Sequence, residues 1–219
     1  MDKENMEKTT KDKELIVNAR KPEGDLGSQL LDRMNLSHEQ LAKWVCNQLA
    51  IREGEYILDI GCGGGVNVER FANMVAPNGK VVGFDYSDVS VEKTKELNKK
   101  AIQEGIVEVL EGSVSEMPFD DNYFDLITGF ETIYFWPDLA SDLKEVNRVL
   151  KKGGTVCFGN EARYEEGQMD KYDELVDLLD MKIYAEDDLK TALSNAGFGE
   201  IIINKKDGED WICVKATKI

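Results

Sequence analysis

From residue 56 onward the chain alternates short apolar runs with stretches of helical periodicity. Tyr56 to Ile60 is a five-residue apolar run that ends in glycines. Lys80 to Asp85, Ile106 to Leu110, Phe124 to Phe130 and Thr155 to Phe158 repeat the theme. Between them lie Val66 to Val75, Val89 to Glu104 and Asp138 to Leu150; in the last, Leu139, Leu143, Val146 and Leu150 share one helical face. The breaks carry turn chemistry, as in Pro77-Asn78-Gly79, Gly105 and Lys151-Lys152-Gly153-Gly154. Ser87 or Asp88 caps the second helix. Asp187 to Asn195 predicts a short helix stopped by Gly197. Ile201 to Asn204 and Trp211 to Thr217 predict two closing strands, and the Lys206-Asp207-Gly208 connection makes that pair antiparallel. Buried strands separated by helices form a parallel sheet covered on both faces, an α/β fold.

Ahead of the first strand, Ser37 stands three residues before Gln40, the spacing of a capping box. Leu41, Ala42, Val45, Cys46 and Leu49 follow on one face, and Arg52-Glu53-Gly54-Glu55 ends the helix. Residues 1 to about 23 are rich in charge, with only Leu15-Ile16-Val17 to anchor them, and read as a mobile arm with one helical turn. The expected division is a charged arm over residues 1–36 and one α/β domain over residues 37–219.

Composition narrows the function. The 219 residues carry 27 basic and 43 acidic side chains, a net charge of −16. A phosphate backbone demands a basic face, so nucleic acid is not the expected partner. No run reaches the roughly 18 apolar residues of a membrane span. The opening MDKENMEKTTKDKE has no apolar core of a secretory signal, so a cytoplasmic location is expected. Cys46, Cys62, Cys157 and Cys213 are widely spaced without a Cys-x-x-Cys, which predicts buried thiols and no metal site.

The most informative segment is Ile57 to Val66, a strand that runs through Gly61-Cys62-Gly63-Gly64-Gly65 into a helix. Glycines let backbone approach a ligand without side chains in the way. A dinucleotide fingerprint places a small third residue where Val66 stands. Asp59, two residues before Gly61, suits a cationic ligand better than a pyrophosphate. Asp85 closes the second strand 24 residues after Gly61, where a carboxylate accepts hydrogen bonds from a ribose diol.

Together Asp59, Gly61, Gly63, Gly65 and Asp85 resemble the cofactor signature of class I S-adenosylmethionine-dependent methyltransferases. Glu111 to Phe119 resembles that family's segment after the third strand, Phe124 to Phe130 its fourth strand, Arg148 to Gly154 the turn before its fifth, and Leu189 to Phe198 its ending. The resemblance implies a Rossmann-like seven-stranded sheet of order 3-2-1-4-5-7-6 with its last strand antiparallel. It also implies S-adenosyl-L-methionine as cofactor and a small-molecule methyl acceptor, in a monomer or homodimer. It places Ser113 or the backbone of Val114 at the adenine, in a position where the family often has an acid, and Phe130 beside the cofactor. Asp59 orients the glycine loop or meets the methionyl amino group, directly or through water. N-terminal elements in the family cover the site, which makes Arg20, Lys21 and residues 24–27 lid candidates.

Methyl transfer from a sulfonium needs alignment and exclusion of water, and a base only where the acceptor must lose a proton. The base candidates are Glu131, Tyr134, His38 and Glu161. Tyr134, Phe135 and Trp136 form either a satellite core or a wall of the acceptor pocket. Gly129-Phe130-Glu131-Thr132 lacks the Asn/Asp-Pro-Pro-aromatic motif of enzymes that methylate base amino groups. Glu161 to Tyr184, with Tyr164, Met169, Tyr172 and Tyr184 among acids, is expected to build a pocket for a small, partly apolar or cationic metabolite. Two competing readings are a non-catalytic cofactor-binding protein and a nicotinamide-dependent oxidoreductase.

Overall fold

The apolar runs pair side by side. In the computed structural model, which describes residue 13 and residues 15–219, seven strands form one sheet. They are β1 (Tyr56–Ile60), β2 (Lys80–Asp85), β3 (Val107–Glu111), β4 (Phe124–Phe130), β5 (Leu150–Asn160), β6 (Phe198–Lys205) and β7 (Ile212–Lys218). Their order is β3-β2-β1-β4-β5-β7-β6, as the resemblance implies. β1 pairs parallel with β2 and β4, while β7 runs antiparallel to both β5 and β6.

Helices cover both faces: α1 (Gly24–Ser37), α2 (Glu39–Cys46), α3 (Val66–Val75), α4 (Asp88–Leu97), α5 (Lys99–Gln103), α6 (Leu139–Val149), α7 (Asp173–Leu179) and α8 (Glu186–Asn195). Successive strand residues go to opposite sides. Ile57 and Val81 join Leu41, Val45 and Phe71 in one core, whereas Leu58 and Val82 join Leu143, Val146 and Leu193 in the other. A fully buried side chain of this size contributes about 1.5–3 kcal/mol, so strands apolar on both faces hold two helical layers.

Local chemistry sets several boundaries. Ser87 is the cap of α4, its Oγ accepting from Ser90 N at 3.2 Å. Asp138 caps α6 through Ser141 N at 2.9 Å. The expected helix over residues 89–104 is two helices, because buried Asn98 turns its amide to Gly65 O (3.1 Å) and Thr94 O (3.0 Å). The capping box at Ser37 does not form: Ser37 is the last residue of α1 and donates to Met34 O. His38 instead joins α1 to α2, with no side-chain cap. β5 begins at Leu150, ahead of its expected start. Its pairing with β4 jumps from Phe124↔Leu150 to Leu126↔Thr155 across the glycine turn.

Residues 1–12 and 14 of the expected arm lie outside the described residues. Residues 15–23 are not free: Leu15 is buried, Tyr86 Oη donates to Arg20 O, and Ser87 Oγ donates to Pro22 O at 2.6 Å. Among the described residues, no helix is long and apolar enough to cross a membrane.

Candidate functional site

In an open α/β sheet the ligand crevice lies beyond the carboxyl ends of the strands, where the order reverses. Here that point is β1, flanked by β2 and β4. The glycine turn leaves β1 and is held by backbone and by one carboxylate. Gly61 N donates to Phe84 O at 2.7 Å, and Gly63 N donates to Asp85 Oδ2 at 3.0 Å. Asp85 Oδ1 accepts from Ser87 N at 2.9 Å. One buried side chain thus ties the turn to the start of α4, with lone pairs left on each oxygen. Burial pushes the Asp85 carboxyl above its ordinary range, and the N–H groups of Ser87 and Gly63 work against that rise.

The turn has no room for side chains where it faces the strands. A Cβ on Gly61 would lie 2.3 Å from Thr132 Cγ2. Gly63 has φ +54°, and its Cβ would stand 3.6 Å from Leu31 Cδ2, across the mouth of a cavity. Gly65 starts α3 and packs on Thr94 and Asn98; it lines neither of the cavities here.

Two cavities flank this turn. The larger, ≈ 200 Å³, has apolar walls that include Leu31, Phe84, Val114, Phe130, Phe135 and Trp136. Asp85, Ser113, Glu131 and Thr132 supply its polar edge, and Arg20 and Pro22 reach it from the N-terminal segment. The smaller, ≈ 70 Å³, lies on the other side of Gly61 and Gly63 against Asp59, His38, Asn67 and Arg70. Asp59 is buried and accepts a hydrogen bond from Thr128 Oγ1 at 2.7 Å. Burial lifts its pKa to about 7 despite that bond, and the nearby Asp85 adds to the rise.

The residues singled out from the sequence divide between these places. Asp85, Ser113, Val114 and Glu131 border the larger cavity, Asp59 and His38 the smaller, and Gly61, Gly63 and Phe130 both. Ser113 Oγ accepts from Ser115 N at 3.2 Å and so closes its own turn. Tyr134 is buried away from both cavities. Its hydroxyl bonds Ala162 N and Ala162 O, each at 2.9 Å, and its ring packs with Leu179 and Met181. The aromatic cluster is therefore split: Tyr134 is satellite core, whereas Phe135 and Trp136 are cavity wall.

The segment from Glu161 to Tyr184 does not line the larger cavity, contrary to expectation. Tyr172 is tied to Asp210 at 2.8 Å and Tyr164 is exposed, so these rings are turned to other tasks. The wall comes instead from Leu31 and Met34 of α1, which sequence reasoning missed. Thr132 was missed too; it sits over Gly61 and Gly129, and its buried Oγ1 has no hydrogen-bond partner.

The strand order and the crevice at β1 are those of the Rossmann-like methyltransferase fold. Residues 58–158 match the family model described as a methyltransferase domain. A demethylmenaquinone methyltransferase of Staphylococcus aureus (strain JH9) is 39% identical over 134 residues, which cover 59% of this chain and 54% of that protein. The chain thus matches about half the length of that curated relative. A SAM-dependent methyltransferase from Aquifex aeolicus superposes with a TM-score of 0.72 at 22% identity, covering 88% of this chain and 98% of the other. The phosphoethanolamine N-methyltransferase 2 of Haemonchus contortus, solved with S-adenosylhomocysteine, gives 0.76 at 15% identity, covering 87% and 57%.

Proposed function

We propose that the chain transfers a methyl group from S-adenosylmethionine to a small, ring-bearing, largely apolar acceptor. The observation that carries this reading is the glycine turn stapled by Asp85 at the mouth of an apolar cavity. The residues present fit the cofactor. Asp85 has acceptor capacity left for a ribose diol, and the ring of Phe84 and the side chain of Val114 offer apolar surface to a purine. Ser113 serves through its backbone, since its hydroxyl is engaged in a turn. Gly61 and Gly63 give close approach. Asp59 and Arg70 meet the two charges of an amino-acid tail, and Phe130 separates that end from the acceptor space.

When bound, the cofactor supplies a methyl group already activated on a sulfonium. The chain then has to align the acceptor and exclude water, which in well-oriented systems is worth up to roughly 7–11 kcal/mol of barrier. Phe135, Trp136, Leu31 and Met34 give the cavity apolar walls suited to a flat ring rather than to a highly charged substrate. The S. aureus relative is named for a demethylated menaquinone, a ring of this kind. Its reduced form with a short tail is therefore the first acceptor to try.

Calorimetry should show S-adenosylhomocysteine binding and no binding of NADH. Mass spectrometry should then show a methylated quinol product. Binding of NADH without S-adenosylhomocysteine would overturn the reading.

A further inference from the structure

We infer that Glu131, Glu161 and His38 form a proton-exit chain, in which Glu131 takes the hydroxyl proton of the acceptor and the other two pass it to the smaller pocket. The inference rests on the methyl-transfer reading and adds the route by which the acceptor is activated.

The three residues come from three separate elements: the end of β4, the end of β5 and the joint between α1 and α2. One ligating atom from each lies within 4.8 Å of the others. Glu131 holds φ +59°, a left-handed conformation that is uncommon outside glycine and that clusters at functional sites. Two contacts fix it there. Its N–H donates to Gly159 O at 2.9 Å, and its Oε1 accepts from Glu161 N. The residue also borders the larger cavity. His38 Nε2 stands 3.8 Å from Glu161 Oε2, a gap that a small side-chain shift closes, and His38 borders the smaller pocket.

The charges around the chain are few. Glu131 faces Glu161 and the hydroxyl of Tyr134; Glu161 also feels Glu209; Glu39, Asp59 and Arg70 share the pocket of His38. Burial raises Glu131 to about 8, raises Glu161 and lowers His38. Raising Glu131 makes its carboxylate a stronger base toward a hydroxyl, and the opposite shifts of Glu161 and His38 bring that pair toward one another. The proton balance is simple. The acceptor O–H bond breaks and its pair stays on oxygen, leaving the acceptor nucleophilic. The proton joins the Glu131 carboxylate, passes through the Glu161 carboxylate to His38 Nε2, and leaves to water. One proton is released for each acceptor methylated.

His38 is the only histidine of the chain, so the imidazole NMR signals of protein purified without a histidine tag need no assignment. With saturating S-adenosylhomocysteine, the wild-type signal should titrate below pH 6.5 and show a second inflection near pH 8, where Glu131 ionises. Glu131→Gln keeps an oxygen for Glu161 N. It should erase that second inflection and leave S-adenosylhomocysteine affinity within twofold, and Glu161→Gln should weaken the inflection. With the reduced short-tailed quinol, Glu131→Gln should lower kcat about 100-fold, within the range for a general base, and flatten its pH profile. His38→Gln should lower kcat less, with KM unchanged.

A single inflection, identical in wild type and Glu131→Gln, would overturn the proton chain. So would loss of the His38 signal on adding one equivalent of Mn²⁺, which would make the cluster a cation site. Failure of the wild type to bind S-adenosylhomocysteine would instead strike at the methyl-transfer reading, and the NMR comparison needs no acceptor.

Discussion

The cavity has two halves built in different ways. The sheet-edge half, from β1, β2 and β4, is held by backbone hydrogen bonds and buried side chains: Gly61 N to Phe84 O, Gly63 N to Asp85, Thr128 to Asp59. The opposite half includes the segment around Arg20 and Pro22. That segment is held by single bonds from Tyr86 and Ser87, by an exposed ion pair between Arg20 and Asp180, and by Ile16 and Ala19 against the Tyr134 cluster. Local opening is easiest where buried apolar contacts are few and backbone bonds reach solvent. The first half is a fixed mould; the second should behave as a strap that opens at lower free energy than the domain unfolds.

The largest effect should come from breaking the mould at the turn. Gly63→Val forces a β-branched residue to φ near +54°, which costs about 1–2 kcal/mol, and puts its methyls in the space before Leu31. S-adenosylhomocysteine binding should fall below calorimetric detection while the far-ultraviolet circular dichroism keeps its α/β shape. Unchanged affinity would place the cofactor elsewhere. Asp85→Ala comes next. Hydrogen bonds to charged groups are worth about 1.5–3 kcal/mol, so affinity should drop about tenfold to about 150-fold. The melting temperature should also fall, since Gly63 N and Ser87 N lose their acceptor.

The mould was legible in local pattern, whereas the strap was offered only by the family resemblance, through Arg20 and Lys21 as lid candidates, and there is a physical reason for the difference. Strand ends, turn glycines and Asp85 are set by local periodicity and spacing, and β4 falls on its expected bounds at Phe124–Phe130. The placement of Leu31, Met34 and Pro22 over the same cavity depends on how α1 packs against α4, which no local pattern encodes. The same holds for Glu131, Glu161 and His38. Each was noticed as a type of residue, but their meeting joins positions 38, 131 and 161 through the sheet. Where local chemistry pointed the wrong way, at Ser37, tertiary packing overrode it: His38 took the joint between two helices and Ser37 stayed helical.

A smaller effect should appear on changing pH, and it belongs to the mould alone. Asp59 and Glu131 have folded pKa values of about 7 and about 8, above their unfolded values of 3.8 and 4.5. A raised carboxyl gives stability that is complete below the unfolded pKa and is lost as pH rises through the folded one. His38 acts oppositely, since its depressed pKa removes stability as pH falls below 6.5. Between pH 6.5 and 8 the carboxyls therefore decide the slope. Apo protein should lose stability with rising pH, by at most about 1.4 kcal/mol per unit for each group. Denaturant melts at three pH values check this, and Asp59→Asn should flatten the lower part of the window.

The smallest change in stability, and the sharpest test of the strap, is expected at Asp180. Its side chain is exposed and pairs with Arg20 at 2.6 Å. Such a pair contributes about 0–1 kcal/mol, so its loss should move the melting temperature by no more than about 4 °C. Asp180 sits at φ +48°, so Asp180→Asn is the right change, because asparagine tolerates that conformation and loses only the charge. The mould does not touch Asp180, and equilibrium folding should barely register the substitution. The strap should register it in kinetics. Trypsin cleavage after Arg20 should speed up several-fold, and S-adenosylhomocysteine should dissociate faster, both measured on folded protein. Unchanged cleavage would mean that Ile16 and Ala19, packed by the Tyr134 cluster, fix the strap. The two halves would then differ in chemistry but not in rigidity.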